Sequence, residues 1–358
     1  PVLQLDRPVT LVGDAGAILD GEGSHEIMVI RAPHVTLRGL TFRNTGRSYH
    51  EDRAAVHVDS ASGCTIEENR FDDTFFAIYL AQTEGCVVRR NVVTGRPSTE
   101  TATGNAIHSW GSRNLTIEDN RVSGHRDGIY LEFTRHAAVR RNVSERNFRY
   151  GLHFMYSDSS AYEGNRFQHN GSGVAVMYSH VVRMAQNHFL ANRGATAYGL
   201  LLKEIADVTL IGNDFTGNTT GLLADGAERL EASGNHFTGN GWAVRLLAST
   251  SGGRFTDNHF AGNTFDVAVN ARTVDAEFVG NWWDAYRGWD LDHDGTGDVP
   301  HHPVRLFALP DRFVHHGTRE LLLQEVGLDV PHLTEEVAAW LRSLKAAATE
   351  AGEHRQGA

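Results

Sequence analysis

The hydrophobic positions of this chain recur in a short phrase that alternates apolar and variable residues. Copies read GIYLE, GLHFM, GVAVM and GLLLK at residues 128–132, 151–155, 173–177 and 199–203. Such alternation is typical of short β-strands. Between the copies an Asn-x-apolar phrase returns, with its asparagine at Asn69, Asn91, Asn120, Asn142, Asn165, Asn187, Asn213, Asn235, Asn258 and Asn281.

The spacing of this repeat predicts the fold. Its steps lie between 22 and 29 residues, and most are 22 or 23. One repeat of this length cannot bury its apolar side alone, so neighbouring repeats stack around a shared core. We therefore expect an all-β, right-handed parallel β-helix with about 22 residues per coil. A leucine-rich repeat horseshoe is the other candidate, but it requires helical or Leu-rich convex segments that this chain lacks.

The corners and interior of the coil follow from the same register. Asparagine tolerates left-handed backbone, so we expect the repeated Asn to adopt that conformation at a corner, and stacked Asn side chains can bond to one another. The apolar residue of the same phrase predicts an inward aromatic column: Phe71, Phe167, Phe189, Phe215, Phe237 and Phe260.

The repeat stops after Trp283, and the composition becomes helical after Phe307. We expect the β-helix to span residues 1–307 and to include an Asp-rich loop at residues 290–298. Residues 308–358 are expected to hold two helices, near 318–326 and 334–349, and a disordered tail. Because an open β-helix end exposes a sheet edge, these helices either cap it or dock onto a partner.

One outward face differs from ordinary solvent-exposed sheet. Where side chains alternate, the positions between the apolar ones point outward. On this face they are mostly aromatic, His, Met or charged residues in register: His108, Trp110, Tyr130, Glu132, His153, Met155, Tyr156, Met177, Tyr178, Lys203 and Glu204. A patch of this kind is usually a binding surface, so we expect a partner to dock there.

Two methionines on this face indicate copper chemistry. Met155 and Met177 are expected to lie on adjacent coils, with His153 two residues before Met155 on the same side. Thioethers with an imidazole form a soft ligand set suited to Cu(I). The alternative is that both methionines only supply adaptable apolar area to a protein contact.

Two further sets of residues have ligand chemistry. The segment Asp290–Asp298 resembles the opening of a calcium loop, with Asp290, Asp292, Asp294, Thr296 and Asp298 as candidate ligands for a structural Ca²⁺. The alternative is an Asp-rich turn, because His301 replaces the usual Glu. Cys64 and Cys86 share one interior coil position, so they form either a disulfide or a buried reduced pair.

Composition excludes several classes of function. The net charge is −11 and no basic run occurs, so we expect no nucleic-acid partner. No apolar run reaches transmembrane length. Because the chain starts at Pro1, we expect a processed form whose targeting segment has been removed.

An enzymatic role has limited support from the residues. Glu132 and Asp59 are isolated, whereas a glycosidase needs paired carboxylates. The main alternative function is a carbohydrate-active β-helix, such as a uronan lyase or C5-epimerase, which shares the repeat but needs a basic groove. A purely structural adhesin is a third option.

The longer phrases resemble the NosD family. The resemblance lies in residues 124–130, 149–155, 173–179, 198–204 and 262–267, and in the Asp-Leu-Asp-x-Asp-Gly-x-Gly-Asp-Val-Pro stretch at residues 290–300. It implies a periplasmic, non-enzymatic β-helical protein that takes part in supplying copper to apo nitrous oxide reductase. It also implies as partners the membrane and ATPase subunits of an ABC transporter and a copper-donor lipoprotein. The region after Phe307 departs from the apolar tail of that family.

Overall fold

The computed structural model describes residues 2–48, 52–97, 99–247, 249–270, 275–291, 297, 301, 304–306, 330–335 and 338. Within these residues the strands are β1 (Leu3–Leu5), β2 (Thr10–Val12), β3 (Ile18–Asp20), β4 (Met28–Ile30), β5 (Thr36–Arg38), β6 (Thr41–Arg43), β7 (Ala54–Asp59), β8 (Thr65–Glu67), β9 (Arg70–Asp72), β10 (Phe76–Ala81), β11 (Val87–Arg89), β12 (Val92–Thr94), β13 (Ile107–Trp110), β14 (Thr116–Glu118), β15 (Arg121–Ser123), β16 (Asp127–Glu132), β17 (Ala138–Arg140), β18 (Val143–Glu145), β19 (Tyr150–Met155), β20 (Asp158–Glu163), β21 (Arg166–Gln168), β22 (Ser172–Met177), β23 (His180–Ala185), β24 (His188–Leu190), β25 (Tyr198–Ile211), β26 (Asp214–Thr216), β27 (Thr220–Ser233), β28 (His236–Thr238), β29 (Trp242–Leu246), β30 (Gly253–Thr256), β31 (His259–Ala261), β32 (Phe265–Val269), β33 (Ala276–Val279), β34 (Trp282–Trp283) and β35 (Val304–Leu306). A 3-10 turn spans Glu100–Ala102, and residues 330–335 are helical.

The strands pair with the equivalent strands of the next turn, and every pairing among them is parallel. One sheet holds twelve strands, from β3 to β34, and the other holds 23. In the second sheet β16 pairs β19 with Ile129 opposite Leu152, and β19 pairs β22 with Leu152 opposite Val174. The prediction of a parallel β-helix is confirmed.

The core is the interior of the coil. Apolar side chains at alternate strand positions are buried along the whole stack. The predicted phenylalanine column is confirmed: Phe189 stacks on Phe215 at 4.6 Å between ring centroids, and Phe215 stacks on Phe237 at 4.7 Å. Between Phe71 and Phe167 the aromatic column is interrupted, and the equivalent positions hold Val93, Val122 and Ser144. The core grows by one layer per coil and shares the register of the sheets.

The repeated asparagines form a continuous ladder inside one corner. From Asn69 to Asn281 each Nδ2 donates to the Oδ1 of the next asparagine at 2.9–3.2 Å. The prediction that these asparagines are left-handed is wrong. The residue before each one takes that conformation, as in Arg90 (φ 53°), Asp119 (φ 57°) and Arg141 (φ 51°). The preceding residue turns the chain, and the Asn side chain is thereby directed inward.

A second ladder lies one corner further on and was not predicted. Its asparagines come five residues after those of the first, at Asn147, Asn170, Asn192, Asn218, Asn240 and Asn263. His125 occupies the same position one turn earlier, where its backbone nitrogen donates to Asn147 Oδ1 at 3.1 Å. This placement explains why a histidine is fully buried in the core.

The C-terminal predictions are tested only in part. Val304–Leu306 pairs in parallel with Phe265–Val269 and extends the sheet by one strand. Of residues 308–358 the structure describes only 330–335 and 338. The cap or docking role of this segment therefore stays a prediction. Asp290 is described, whereas Asp292, Asp294, Thr296 and Asp298 are not, and the calcium prediction also stays open. In the part of the chain that the structure describes, no helix has the length and apolar character of a membrane span.

Candidate functional site

A column of stacked rings runs along the outer face of the larger sheet. In-register pairing places Tyr79 opposite His108, His108 opposite Tyr130, and Tyr130 opposite His153. Their ring centroids lie 4.7, 4.9 and 4.5 Å apart, and His57 stacks on Tyr79 at 4.9 Å. The predicted column is therefore present, and its rings stack on one another, with His108 and Tyr130 tilted by 34°.

Two histidines of this column are buried, although the sequence predicted an exposed face. His108 is 8% exposed and His153 is 6% exposed. The ring of Phe76 packs on His108 at 5.5 Å, and Tyr150 packs on His153 at 4.9 Å. Neighbouring aromatic rings cover both imidazoles, so these two side chains are part of a packed layer on the outer face.

The buried carboxylate of Asp127 lies beside His153. The Asp127 carboxylate, which is fully buried, lies 3.5 Å from His153 Nδ1 and 3.5 Å from Arg149 Nε. Arg149 Nη2 also lies 3.4 Å from His153 Nδ1. Asp127 Oδ2 makes no hydrogen bond among the described residues, and the guanidinium of Arg149, which can only donate, makes His153 Nδ1 the acceptor of that contact. Among the described residues, His153 Nε2 has no hydrogen-bond partner.

Unsatisfied polar atoms concentrate around this group. Among the residues that the structure describes, the buried polar atoms without a hydrogen-bond partner include those of Asn105, His108, His125, Arg126 and His153. These residues lie on three consecutive turns. Because native proteins rarely leave such atoms unpaired, this corner is the part of the described fold with the greatest capacity to bind water or a polar ligand.

We expect acid to destabilise the fold through His108. Burial, aided by Arg126, lowers the pKa of His108 from 6.5 to about 3, while Asp127 opposes the shift and His153 adds to it. The unfolded chain therefore binds the extra proton, and stability is lost as the pH falls below 6.5 towards 3. Between pH 6.5 and 5 this residue alone should cost about 2 kcal/mol.

Urea unfolding at pH 7 and pH 5 checks this expectation. His108→Phe keeps a ring in the stack but removes the titrating nitrogens, so its loss of stability on acidification should be about 2 kcal/mol smaller than that of the wild type. An equal acid loss in both proteins would show that His108 does not carry the effect.

Met155 and Met177 lie directly opposite each other on β19 and β22. Both are half-buried. The Tyr130 hydroxyl lies 3.7 Å from the Met155 sulfur, and Met177 packs against an outer cluster that includes Ala175 and Leu201. The predicted adjacency of the two thioethers is thus confirmed, and the pair borders the packed ring column.

Charged residues flank the methionine pair in its own register, which lies two positions after that of the ring column. Glu132 is opposite Met155, and Lys203 is opposite Met177. Lys203 Nζ lies 3.2 Å from Asp225 of the next turn, and this contact raises the pKa of Lys203. The thioethers therefore lie between an acidic and a basic side chain.

An exposed aromatic strip runs along the adjoining corner. Phe133 stacks on Tyr156 at 5.3 Å, and Tyr156 stacks on Tyr178 at 5.0 Å. All three have positive φ, between 49° and 53°, and are 37–50% exposed. Bulky residues rarely adopt this backbone, which costs about 1–2 kcal/mol for each residue. Trp110 is also exposed beside the strip, whereas Glu204 continues it as a charged residue.

Classical metal clusters are absent from the described residues. In them, no group of three or more His, Cys, Asp and Glu side chains could hold a metal ion. Thioethers are not among these ligand types. Within the described region, a copper site on this face would therefore depend on the methionine sulfurs.

The geometry defines a β-helical scaffold with an outer face of aromatic rings and thioethers. A family model described as "Periplasmic copper-binding protein (NosD)" matches residues 89–288. "Probable ABC transporter binding protein NosD" of Pseudomonas aeruginosa is 32% identical over 348 residues, which cover 84% of this chain and 73% of that protein. The protein of the same name from Stutzerimonas stutzeri is 27% identical over 349 residues, with 84% and 72% covered. The chain belongs to the NosD family.

Solved structures with the same architecture include enzymes. The A-module of mannuronan C-5 epimerase AlgE6 from Azotobacter vinelandii superposes with a TM-score of 0.59 and 16% sequence identity, and the match covers 78% of this chain and 90% of that one. At this identity the likeness concerns the fold alone. The relatives in the family carry the name of a binding protein.

Proposed function

We propose that this chain is the periplasmic accessory protein of an ABC transporter and that it supplies copper for the maturation of nitrous oxide reductase. The observation that carries the proposal is the in-register pair Met155–Met177, half-buried beside an exposed aromatic strip. The descriptions of the family and of its relatives support the periplasmic address, the copper and the transporter.

The copper cargo is Cu(I), held transiently by the two thioethers with His153 as the third donor. Thioether and imidazole ligands suit Cu(I), and they lack the grip of thiolates, so the ion can pass onward. In the structure the Arg149 guanidinium, which can only donate, lies 3.4 Å from His153 Nδ1, so copper binding through Nε2 requires Nδ1 to exchange this contact for donation to Asp127, 3.5 Å away.

The docking surface consists of the aromatic strip Phe133–Tyr156–Tyr178 and of the outward residues Trp110, Tyr130, Glu132, Lys203 and Glu204 beside it. His108 is buried under Phe76 and is not part of this surface. Its partners are the copper-donor lipoprotein and apo nitrous oxide reductase. Exposed stacked aromatics supply large contact area at low conformational cost. The membrane and ATPase subunits hold the chain at the inner membrane, and the C-terminal segment is the docking element that we assign to them.

We predict that Tyr156→Ala combined with Tyr178→Ala weakens binding of the copper-donor lipoprotein roughly tenfold or more, because two adjacent exposed rings are lost. Biolayer interferometry with the purified lipoprotein measures the change. Val92→Ala with Ile211→Ala is the matched control, since those side chains are similarly exposed on other faces. Equal binding by both double variants would place the docking surface elsewhere.

Catalysis on uronans is the alternative function that the fold alone permits. On the proposed face Glu132 stands between Trp110 and Met155, and Lys203 is paired with Asp225. A lyase or epimerase needs a cation free to bind the substrate carboxylate. We therefore propose a non-enzymatic role, and turnover of alginate or another uronan by the purified chain would contradict it.

A further inference from the structure

Two cysteines lie against each other inside the coil. Cys64 directly precedes β8 and Cys86 directly precedes β11, and these strands pair in parallel with Thr65 opposite Val87. The cysteines are therefore opposite neighbours on consecutive turns. Both are 1% exposed, and both are free thiols in the structure. The next turn places Leu115 at the same position.

We propose that Cys64 and Cys86 are a disulfide-forming pair that covalently joins two consecutive turns of the mature solenoid. Paired strands lie about 4.8 Å apart, which falls within the Cα separation of about 4.4–6.8 Å that disulfides span. Both side chains start from in-register positions and point into the same interior. The two sulfurs can therefore meet without a change of face in either strand.

The surroundings of the two sulfurs favour a disulfide over two separate thiols. The sulfurs contact backbone carbonyls only weakly, at 3.7 Å for Cys64 to Ala32 and 3.8 Å for Cys86 to Ala61. The thiols also interact with each other. The hydrogen bond from Cys64 lowers the pKa of Cys86 to about 7, whereas that contact and burial raise the pKa of Cys64. Within the folded chain Cys86 is thus the more acidic thiol of the pair.

The bond forms by thiol–disulfide exchange with a small disulfide oxidant such as oxidised glutathione. The thiolate of one cysteine attacks the oxidant and releases one glutathione thiolate, which gives a mixed disulfide. The other cysteine then loses its proton and attacks the sulfur of the first, which releases the second glutathione thiolate. The two cysteines lose two electrons and two protons, and the oxidant gains the electrons. Because both thiols are buried in the fold, exchange precedes closure of these turns.

The crosslink encloses one turn of the solenoid. It would fix the register of β8 on β11 and restrict the unfolded chain, which stabilises the native state. The inference rests on the proposed function only for the oxidising periplasm in which the pair would be oxidised. The closing experiment supplies its own oxidant, so its outcome does not depend on the proposed location or on copper transfer.

The full chain is refolded from denaturant in a mixture of oxidised and reduced glutathione, quenched in acid, unfolded again and treated with iodoacetamide. We expect no alkylation of Cys64 or Cys86 before reduction, and a linked pair of peptides two hydrogens lighter than the free peptides. After reduction both cysteines should be alkylated. Full alkylation of both cysteines without reduction would overturn the proposal, and so would glutathione retained on either cysteine.

Two controls make the result interpretable. Cys64→Ser and Cys86→Ser each leave one cysteine, which should be alkylated or carry glutathione after the same treatment. The oxidised wild type should also melt several degrees higher than the same protein after reduction, whereas the Cys64→Ser variant should show no such shift. An unchanged melting temperature of the wild type on reduction would contradict the proposed staple.

Discussion

Asn142→Ala is expected to lower the free energy of unfolding by about 3–5 kcal/mol. Asn142 is fully buried, and its Oδ1 accepts hydrogen bonds from the backbone nitrogen and the Nδ2 of Asn120, both at 3.0 Å. Its Nδ2 donates to the Ile117 carbonyl at 2.8 Å and to Asn165 Oδ1 at 3.0 Å. Alanine leaves these buried partners unsatisfied in the middle of a continuous ladder, so both neighbouring turns are affected.

Chemical denaturation of the purified variant measures this loss. Arg113→Ala is a suitable control, because Arg113 is 65% exposed and its ion pair with Glu84 is a surface contact. Exposed pairs contribute about 0–1 kcal/mol, so the control should unfold almost as the wild type does. A loss for Asn142→Ala no larger than that of the control would show that the ladder is not a main source of stability.

Met155→Ala combined with Met177→Ala is expected to reduce copper delivery to nitrous oxide reductase roughly tenfold or more, while the fold persists. Both side chains are half-buried on the outer face, so little core packing is lost. The copper content of reductase matured in a complemented deletion strain provides the measurement. Normal copper content with a folded double variant would show that the route runs elsewhere.

His153 is a less suitable position for the same experiment. The sequence predicted an outward residue, but the side chain is buried against Asp127. His153→Ala would leave the Asp127 carboxylate with fewer partners in a buried position, which destabilises the protein. A loss of copper transfer in that variant would combine two causes, so the methionine pair gives the clearer result.

The period of the chain was sufficient to predict the coil and its inner and outer faces. Alternation places Met155 and Met177 on one face, and the 22-residue step makes them neighbours. Alternation does not reveal what covers a face. Phe76 and Tyr150 bury His108 and His153 because strand β10 and strand β19 begin with aromatic residues that lean onto the column.

The left-handed backbone before each ladder asparagine and that of the exposed aromatic strip could not be derived from residue preference alone. Asparagine favours left-handed backbone in general, yet here the residue before it takes that conformation, because the Asn side chain must enter the ladder. The second ladder, in contrast, leaves a signal: Asn147, Asn170 and Asn192 follow the first ladder at a constant interval of five residues. The strain at Phe133, Tyr156 and Tyr178 appears only in the backbone angles.

The affinity of the purified protein for Cu(I), compared between the wild type and the variant Met155→Leu with Met177→Leu, tests the copper-transfer account most directly. Leucine keeps the apolar volume and the packing on Ala175 and Leu201, but it removes both sulfurs. Competition with a Cu(I) chelator of known affinity should show that the leucine variant binds roughly tenfold or more weakly, while binding of the donor lipoprotein is unchanged. Equal Cu(I) affinity of the two proteins would contradict the account, because the methionines would then serve only as apolar contact surface.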